Sequence, residues 1–577
     1  MGAHGEGARS GGDDVRSLAS RMAAAHSLEA RLDLLAQAGR QSPDLMHQAE
    51  RTLAAAPDEK VLQQEALCLL KVWVLHARGE WAERDYYLCA FGEPRDRALI
   101  RARLGIADEA RADQCVFLIT VDSLRADRCS CNGHVQRTTP AMDALAARGV
   151  NFPRAYATAG QTAQSLPGIM MSNFYQSFGA SRLVPSHLKT LAEALSGAGF
   201  HTVGINAANP HLSRFYDHDR GFDEFYDFCT WRRHDASING FTMRSASLSE
   251  QELAVVLEDF RAHPETYELL RQMTGLESLP LAARVTRKFL RVDAAQAVRA
   301  AFATLDGRGK RFYWLHLMDV HEPIALRFSP LGCLSRAQQF LLNETAASPI
   351  AEEVLGRGGG KYGELYNCAV SYVDMNLGIL FNYLSDSGLL EHSLVCVTAD
   401  HGQELLERGV FGHGYDRLAE GVLHVPLVFG GGLAARLKAD PSLPVSTLDI
   451  APTILDACGI QEAPASFLGT TLNDVRPRPL YGQTFHDGAE NYYPGDRGLF
   501  TLEPYAGPVR QCCKEKHFCI QDDCLLLRDV SEGSTDLVRL TSQAGGPHEG
   551  RLPDAERLTE QARAYFEDAY TALRRVA

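Results

Sequence analysis

The sequence lacks any apolar run of the ~18 residues that a bilayer crossing requires. Its first residues, MGAHGEGARSGGDD, contain neither a basic start nor an apolar core, so they do not resemble a secretory signal. These two absences predict a cytoplasmic protein with no membrane partner.

Positive charge is also scarce. The 577 residues include 58 Lys and Arg against 72 Asp and Glu, which gives a net charge of -14. Because nucleic-acid phosphates are bound by clustered Lys and Arg, this balance argues against a nucleic-acid partner. It does not exclude a small phosphorylated substrate, for which a local pocket is enough. The length predicts two or three domains.

The chain has 14 cysteines, but none of them form the paired C-x2-C motifs that are typical of structural zinc sites. One cluster, Cys512, Cys513, Cys519 and Cys524, surrounds His517. Its spacing favours unpaired thiols in a strand-rich segment over a structural zinc site.

The hydrophobic pattern changes along the chain. Residues 1–12 are Gly-rich and predicted to be a disordered tail. Residues 13–110 show apolar positions at helix spacing and almost no strand signals, which predicts a helical N-terminal domain. A protein partner or self-association through this domain is a hypothesis only.

From residue 111 onward, buried-strand patterns alternate with helical ones. This alternation predicts an α/β fold, with a mostly parallel sheet flanked by helices. The catalytic α/β domain is predicted to span 111–480 and to contain a helical insertion at 240–300. Residues 481–577 are predicted to form a smaller α+β subdomain that ends in an amphipathic helix. The predicted strands lie at 115–122, 201–207, 311–319, 393–400 and 425–431, and clear helical patterns lie at 188–198 and 370–384.

Polar residues follow three of the predicted strands. Asp122 ends the first, Asp319 and His321 follow the third, and Asp400 and His401 end the fourth. A single Asp at such a place is more often a cap, but ligands of parallel sheets bind at this edge. Two carboxylates and an imidazole form a ligand set suited to Zn, Mn or Mg, and less clearly to Ca.

Several segments, in order, resemble the sulfatase branch of the alkaline phosphatase superfamily. This branch includes sulfatases, phosphonate monoester hydrolases, phosphodiesterases and phosphoethanolamine transferases. The resemblance covers about 115–470 and implies an alkaline-phosphatase-like fold and an ester hydrolase that uses a divalent metal ion. The matching segments are TVDSLRADRCSCNGHVQRTTPAMDALAARGVNFPRAYA, RGFDEFYDF, LHLMDVHEP, VTADHGQELLERGVFGHG, HVPLVFGGG and STLDIAPTILDACGI.

The resemblance also implies roles for individual residues. Asp122, Asp400 and His401 occupy metal-ligand positions. Ser165 occupies the nucleophile position of the family's C/S-x-P-x-R motif and would also contact the metal. It would precede a helix that starts after Pro167, whose amides would face a bound anion.

Other readings of these residues stay open. Ser165 alternatively caps that helix, and Thr162 is the alternative nucleophile. His321 and His413 are expected to contact the substrate or its leaving oxygen, the alternative being hydrogen bonds to the backbone. His316 and His424 lie in apolar strand patterns and are expected to be structural.

Two departures from the family pattern bear on the substrate. Ser123 replaces the second aspartate of many sulfatases, and Ile169 replaces the Arg of the nucleophile motif, without which conversion to formylglycine is not expected. We therefore expect hydrolysis of a phosphate mono- or diester of a small metabolite through an intermediate on Ser165, ahead of a sulfate ester. The alternatives are a phosphotransferase acting on an acceptor hydroxyl, a formylglycine-type sulfatase and a non-catalytic scaffold.

Overall fold

A computed structural model describes residues 13–576 of the chain, with several gaps. The predicted disordered tail at 1–12 lies outside the described residues. No helix among the described residues combines the length and apolar character needed to cross a bilayer. The gaps are at 42, 55, 107–112, 176–183, 229, 234–240, 245–291, 306–307, 327, 333, 347–350, 356–359, 415–416, 487–492, 495–499, 503–513, 531 and 541–553.

Residue contacts divide the chain into two compact units. One unit contains residues 1–112 together with 298–308 and 376–389. The other contains 113–297, 309–375 and 390–577.

The part of 13–106 that the structure describes consists of seven helices joined by short turns. Its helix Glu65–Arg78 has buried residues on several sides and is followed by Gly79, whose φ of 72° suits the left-handed conformation of a helix terminus. The buried guanidinium of Arg97 donates to both carboxylate oxygens of Asp386, at 2.6 and 2.9 Å. The helices of residues 13–106 are Asp13–Ala24, Leu28–Gln41, Pro43–Ala54, Asp58–Gln63, Glu65–Arg78, Trp81–Cys89 and Pro94–Leu104.

A seven-stranded sheet forms the centre of the second unit in the described residues. We number the strands along the chain. Those of this sheet are β1 (Gln114–Val121), β2 (Val150–Asn151), β4 (Phe200–Asn206), β5 (Glu224–Tyr226), β8 (Lys310–Leu317), β9 (Leu394–Thr398) and β13 (Leu427–Gly430). Their spatial order is β2-β13-β9-β1-β8-β4-β5.

The sheet is mostly parallel, as predicted. β1 pairs in parallel with β8 and β9, and β4 pairs in parallel with β8 and β5. Only the β13 pairs, with β9 and β2, are antiparallel within this sheet. Every residue of β1 after Gln114 is buried, because both faces of the sheet are covered, and this explains the continuous apolar runs of the sequence.

Smaller sheets complete the second unit. The C-terminal one has the order β15-β18-β19-β20, and the helix Ala555–Val576 packs on it through a cluster that includes Cys519 and Leu558. This confirms the amphipathic C-terminal helix. The remaining strands are β3 (Ala155–Tyr156), β6 (Thr230–Arg233), β7 (Phe241–Arg244), β10 (Glu404–Leu405), β11 (Phe411–Gly412), β12 (His424–Val425), β14 (Val445–Ser446), β15 (Leu480–His486), β16 (Tyr493–Pro494), β17 (Phe500–Leu502), β18 (Lys514–Gln521), β19 (Cys524–Asp529) and β20 (Thr535–Arg539).

The predicted helical insertion at 240–300 needs a correction at its start. Phe241–Arg244 is a strand that pairs with β6 and β17, because its alternating residues match those of a β-ribbon rather than a helix. Residues 245–291 lie outside the described part, and Ala294–Thr304 is helical as expected. The other helices are Pro140–Arg148, Thr162–Met171, Leu191–Gly197, Arg336–Ala346, Ala351–Leu355, Lys361–Asp386, Glu420–Leu423 and Ile450–Ala457.

Candidate active site

Asp122 and Asp400 meet at the carboxyl edge of the central sheet. Asp122 directly follows β1, and Asp400 lies two residues beyond the end of β9. The two strands pair in parallel with Thr120 opposite Thr398, so the residues two positions further along also lie at the same level. The sheet register therefore brings the two predicted carboxylates together.

His401 joins this pair. One ligand atom from each of Asp122, Asp400 and His401 lies within 4.8 Å of the others, and all three side chains are fully buried. Nε2 of His401 lies 3.5 Å from Oδ2 of Asp400 and 3.8 Å from Oδ1 of Asp122. The structure thus brings the three predicted metal ligands into one group.

The donor atoms of this group fit a divalent cation. Oδ1 of Asp400 accepts from the backbone N–H groups of Ser123 (3.2 Å) and His401 (2.8 Å). Its Oδ2 is buried and has no hydrogen-bond partner among the described residues, a costly arrangement unless a positive charge lies there. Nδ1–H of His401 donates to the carbonyl of Gly402 at 2.8 Å, which leaves the Nε2 electron pair free for a metal.

The carboxyl pKa values shift in opposite directions. Burial and the nearby charge of Asp122 raise the pKa of Asp400. Burial also acts to raise the pKa of Asp122, but the charge of His321 and the hydrogen bond with His316 hold it well below its usual range. Asp122 is therefore ionised, and a cation between the carboxylates would relieve their repulsion.

Thr162, the alternative nucleophile, supplies the hydroxyl at this group. Its Oγ1 donates to Oδ2 of Asp122 at 3.2 Å and lies 3.2 Å from Nε2 of His401. The Ser165 hydroxyl instead donates to the backbone carbonyl of Thr162 at 3.5 Å, within the same helix. Among the described residues the Ser165 hydroxyl makes no hydrogen bond to Asp122, Asp400 or His401, and its expected contact with the metal stays a prediction.

The reason lies in where the helix starts. It spans Thr162–Met171 and includes Pro167, whereas the sequence placed its start after that proline. A proline is most often found in the first helical turn, and the prediction relied on that tendency. Because the helix begins five residues before Pro167, Thr162 is its first residue, and the Ser165 hydroxyl bonds to the backbone one turn earlier, as serine commonly does inside helices.

Three further residues orient Asp122, and sequence reasoning missed their roles. Ser123 Oγ donates to Oδ1 of Asp122 at 2.9 Å, and Asn209 Nδ2 donates to Oδ2 at 3.1 Å. His316 Nε2 lies 3.5 Å from the same Oδ2, and its Nδ1 lies 2.9 Å from Oγ1 of Thr120. His316 is thus not merely structural. A fully buried imidazole in an otherwise apolar strand was the available signal.

A second polar group adjoins the first. One ligand atom from each of His321, Glu322 and His413 lies within 4.8 Å of the others. The His413 ring centroid lies 4.8 Å from that of His321 and 4.4 Å from that of His401. The two histidines that were predicted to contact the substrate therefore lie beside the predicted metal ligands, together with Glu322, which was not predicted.

Glu322 carries a negative charge in this group. Burial acts to raise its pKa, but the charges of His413 and His321 hold the pKa well below its usual range. Burial acts to lower the pKa of His413, and Glu322 raises it to about 9 instead. A positive charge next to Glu322 is therefore favoured.

The remaining predicted polar residues lie elsewhere. His424 Nε2 lies 2.6 Å from the carbonyl of Pro153, which fits the expected structural role. Asp319 belongs to neither of the two metal-capable groups found in the described residues, and neither group contains a cysteine. Cys519 and Cys524 are buried free thiols, whereas Cys512 and Cys513 lie outside the described residues.

Comparison with known proteins identifies the family. A family model described as Sulfatase matches residues 114–460. The choline-sulfatase of Rhizobium meliloti (strain 1021) is 34% identical over 113 residues, 19% of each chain. The N-acetylglucosamine-6-O-sulfatase of Bacteroides thetaiotaomicron is 33% identical over 110 residues, also 19% of each chain. The matched segments thus span about a fifth of these curated relatives.

A solved structure extends the likeness to most of the chain. The phosphonate monoester hydrolase of Silicibacter pomeroyi superposes with a TM-score of 0.50 at 17% sequence identity. The superposition covers 80% of this chain and 95% of that one. At this level of identity the likeness shows the fold alone.

Proposed function

The chain belongs to the sulfatase family, and we propose that it hydrolyses a phosphate mono- or diester of a small metabolite through a covalent intermediate on Thr162. The observation that carries the proposal is the position of the Thr162 hydroxyl, 3.2 Å from both Asp122 Oδ2 and His401 Nε2. This assignment replaces Ser165 as the nucleophile.

Four side chains would hold the metal ion. They are Asp122, Thr162, Asp400 and His401. When bound, a divalent ion supplies Lewis acidity, which favours loss of the hydroxyl proton and offsets charge on the transferred group.

The chain's own residues account for the remaining chemistry. Asp122 Oδ2 accepts the hydrogen bond of the Thr162 hydroxyl and is one of two possible bases 3.2 Å from its oxygen, the other being His401 Nε2. Oγ1 then bonds to phosphorus while the bond from phosphorus to the leaving oxygen breaks. Water subsequently attacks the phosphothreonine, releasing phosphate, or a phosphomonoester from a diester, and restoring the hydroxyl.

The helix Thr162–Met171 supports anion binding at the same place. Its N-terminal end carries the partial positive charge of the helix dipole, and Thr162 is its first residue. His321 and His413 lie next to the residues that would hold the metal. We assign the leaving oxygen of the substrate to the side of these histidines, where positive charge would offset the negative charge that develops on that oxygen.

A threonine nucleophile favours phosphate over sulfate esters. In the sulfatases that this chain resembles, formylglycine forms from Cys or Ser, and threonine does not provide it. A plain sulfate ester of threonine lacks the collapse that a formylglycine hydrate allows, whereas a phosphothreonine is hydrolysed by water directly. Formylglycine at Ser165 would reverse this preference.

A substrate panel with matched variants tests the proposal. The metal-loaded full chain is assayed with p-nitrophenyl phosphate, bis-p-nitrophenyl phosphate and p-nitrophenyl sulfate. We expect kcat/KM for one of the phosphoesters to exceed that for the sulfate at least about tenfold. Thr162→Ala should lower kcat by about a thousandfold or more, and the neighbouring control Ser165→Ala should retain activity. Preferred sulfate hydrolysis that requires Ser165 would overturn the proposal.

A further inference from the structure

A cavity of about 320 Å³ lies in the second unit, a volume at the lower end of the range for small-molecule sites. Its lining residues come from the segment after β1, from β10, from the start of the helix Glu420–Leu423, and from β19 and β20. In the described part of the chain, no residue of either metal-capable group contributes to this lining. We propose that the cavity binds a small organic cation, a primary ammonium that carries a short apolar chain.

One part of the lining is apolar. Leu418, Leu525 and Leu540 are buried members of one hydrophobic cluster, and all three line the cavity. Val538, on the edge strand β20, also lines it and is 43% exposed. An apolar chain placed against these residues would remove both its own surface and theirs from water. This part of the lining suits the uncharged portion of a ligand.

The charged part of the lining contains a buried carboxylate, that of Glu404. Glu404 is only 3% exposed. Among the described residues its carboxylate accepts one hydrogen bond, from Nε of Arg408 at 3.3 Å. The side chain of Arg408 is 49% exposed, so water screens this ion pair. A buried carboxylate with one solvated partner is costly unless a further positive charge lies close to it.

The surrounding arginines do not supply that charge in full. Burial raises the pKa of Glu404 and the charge of Glu407 adds to the rise, although Arg408 and Arg125 act in the opposite direction. The guanidinium of Arg125 is engaged elsewhere. Its Nη1 donates to Glu407 at 2.6 Å, and its Nη2 donates to Asp127 at 2.7 Å. A ligand cation beside Glu404 would therefore complete the compensation of its charge.

The lining favours a primary ammonium over other cations. The two groups in the described residues that could hold a metal ion lie outside the cavity. Quaternary ammonium ions are typically held against aromatic faces, and none of the described residues that line the cavity is Phe, Tyr or Trp. A primary ammonium instead donates three hydrogen bonds, which suits the carboxylate of Glu404.

The cavity adjoins the loop that carries His401. Gly402 follows His401, and its N–H donates to the carbonyl of Val422 at 2.7 Å. A Cβ at Gly402 would lie 2.1 Å from the carbonyl oxygen of Gly421 and 2.9 Å from Cγ of Arg125. Gly421 and Arg125 both line the cavity. A ligand there would therefore contact two residues that pack directly against this loop.

Isothermal titration calorimetry with n-hexylammonium as the probe tests the proposal. The full chain is loaded with Zn²⁺, which occupies the carboxylates at the strand ends, and is titrated at pH 7, where the amine is protonated. We expect binding with a Kd of about 1 mM or tighter, within reach of a ligand of this size. n-Hexanol lacks the charge and n-hexyltrimethylammonium lacks the N–H donors, so each should bind at least about tenfold more weakly.

Two variants locate the site. Glu404→Gln removes the charge at nearly constant shape and should weaken n-hexylammonium binding at least about tenfold. Ala419 lines the cavity, so the larger side chain of Ala419→Leu should fill part of it and weaken binding as well. Glu391→Gln makes the same change as the first variant at an exposed position outside the lining, and should keep the wild-type affinity.

Equal affinity of the wild type for n-hexylammonium and for either comparison ligand would overturn the proposal, and this comparison does not depend on how the variants fold. Unchanged affinity in a folded Glu404→Gln variant would do the same, because the probe would then bind elsewhere. The measurement records binding alone, so its outcome is independent of the phosphoesterase activity proposed above.

Discussion

Oγ1 of Thr162 lies 3.2 Å from Nε2 of His401, although 239 positions separate the two residues in the chain. The contact joins the start of a helix to the loop after strand β9. It places a hydroxyl among buried atoms that could bind a metal ion, where a neutral alcohol can become a nucleophile.

Asn209 should control metal affinity without binding the metal. Asn209→Ala removes the N–H that donates to Oδ2 of Asp122, so the carboxylate loses part of its orientation. We expect the Zn²⁺ dissociation constant to rise about 10- to 100-fold, measured by competition with a fluorescent chelator. His201→Ala, at the opposite end of strand β4 and paired with Glu224, serves as the control. Equal affinities in the two variants would show that other groups orient Asp122.

Asp400 should lower the stability of the metal-free protein and raise that of the metal-bound protein. Without metal, burial and the neighbouring charge of Asp122 raise the pKa of Asp400, and its ionised form destabilises the fold. Metal-free Asp400→Asn should therefore melt about 2–4 °C above the metal-free wild type. Adding Zn²⁺ should reverse the order, because only the wild type retains the full ligand set. A metal-free variant that melts lower would contradict this explanation.

Asp374 should make stability depend on pH. Burial raises its pKa to about 7, although it accepts backbone N–H bonds from Ala141 (2.8 Å) and Met142 (2.9 Å). The folded state therefore holds this proton more tightly than the unfolded state, whose value is near 3.8. The stability contributed by Asp374 is greatest at low pH and is lost as the pH rises through about 7.

Thermal melts across this pH range test the point. Asp374→Asn should flatten the change in melting temperature between pH 4 and pH 7, the interval set by the two pKa values. Asp440→Asn changes an exposed turn carboxylate and should leave the slope as it is in the wild type. Matching slopes in wild type and Asp374→Asn would rule out the raised pKa.

The central sheet and the metal ligands could be predicted because their signals are local. Buried parallel strands appear as continuous apolar runs, and Asp122 and Asp400 end two of them. Strand register then places the two carboxylates at one level. Sequence alone therefore predicted the edge of the sheet and the three ligands there.

The proposed nucleophile and the residues that orient Asp122 follow from the tertiary structure. The helix begins at Thr162, so Pro167 lies inside the helix and not at its first position, where proline is most common. No local sequence signal marks that start clearly. Asn209 reaches Asp122 from 87 positions away, so its role follows only from the folded chain. Glu322 is paired with His413, which lies in a loop distant in the sequence, and this pairing follows only from the folded chain.

Trapping the covalent intermediate tests the central claim most directly. The metal-loaded protein is mixed with bis-p-nitrophenyl phosphate, quenched in acid within the first turnover, and mapped by peptide mass spectrometry. We predict a phosphoryl ester on Thr162, absent in Thr162→Ala and present in Ser165→Ala. A phosphoryl or sulfuryl group on Ser165, or formylglycine at that position, would contradict the assignment of Thr162.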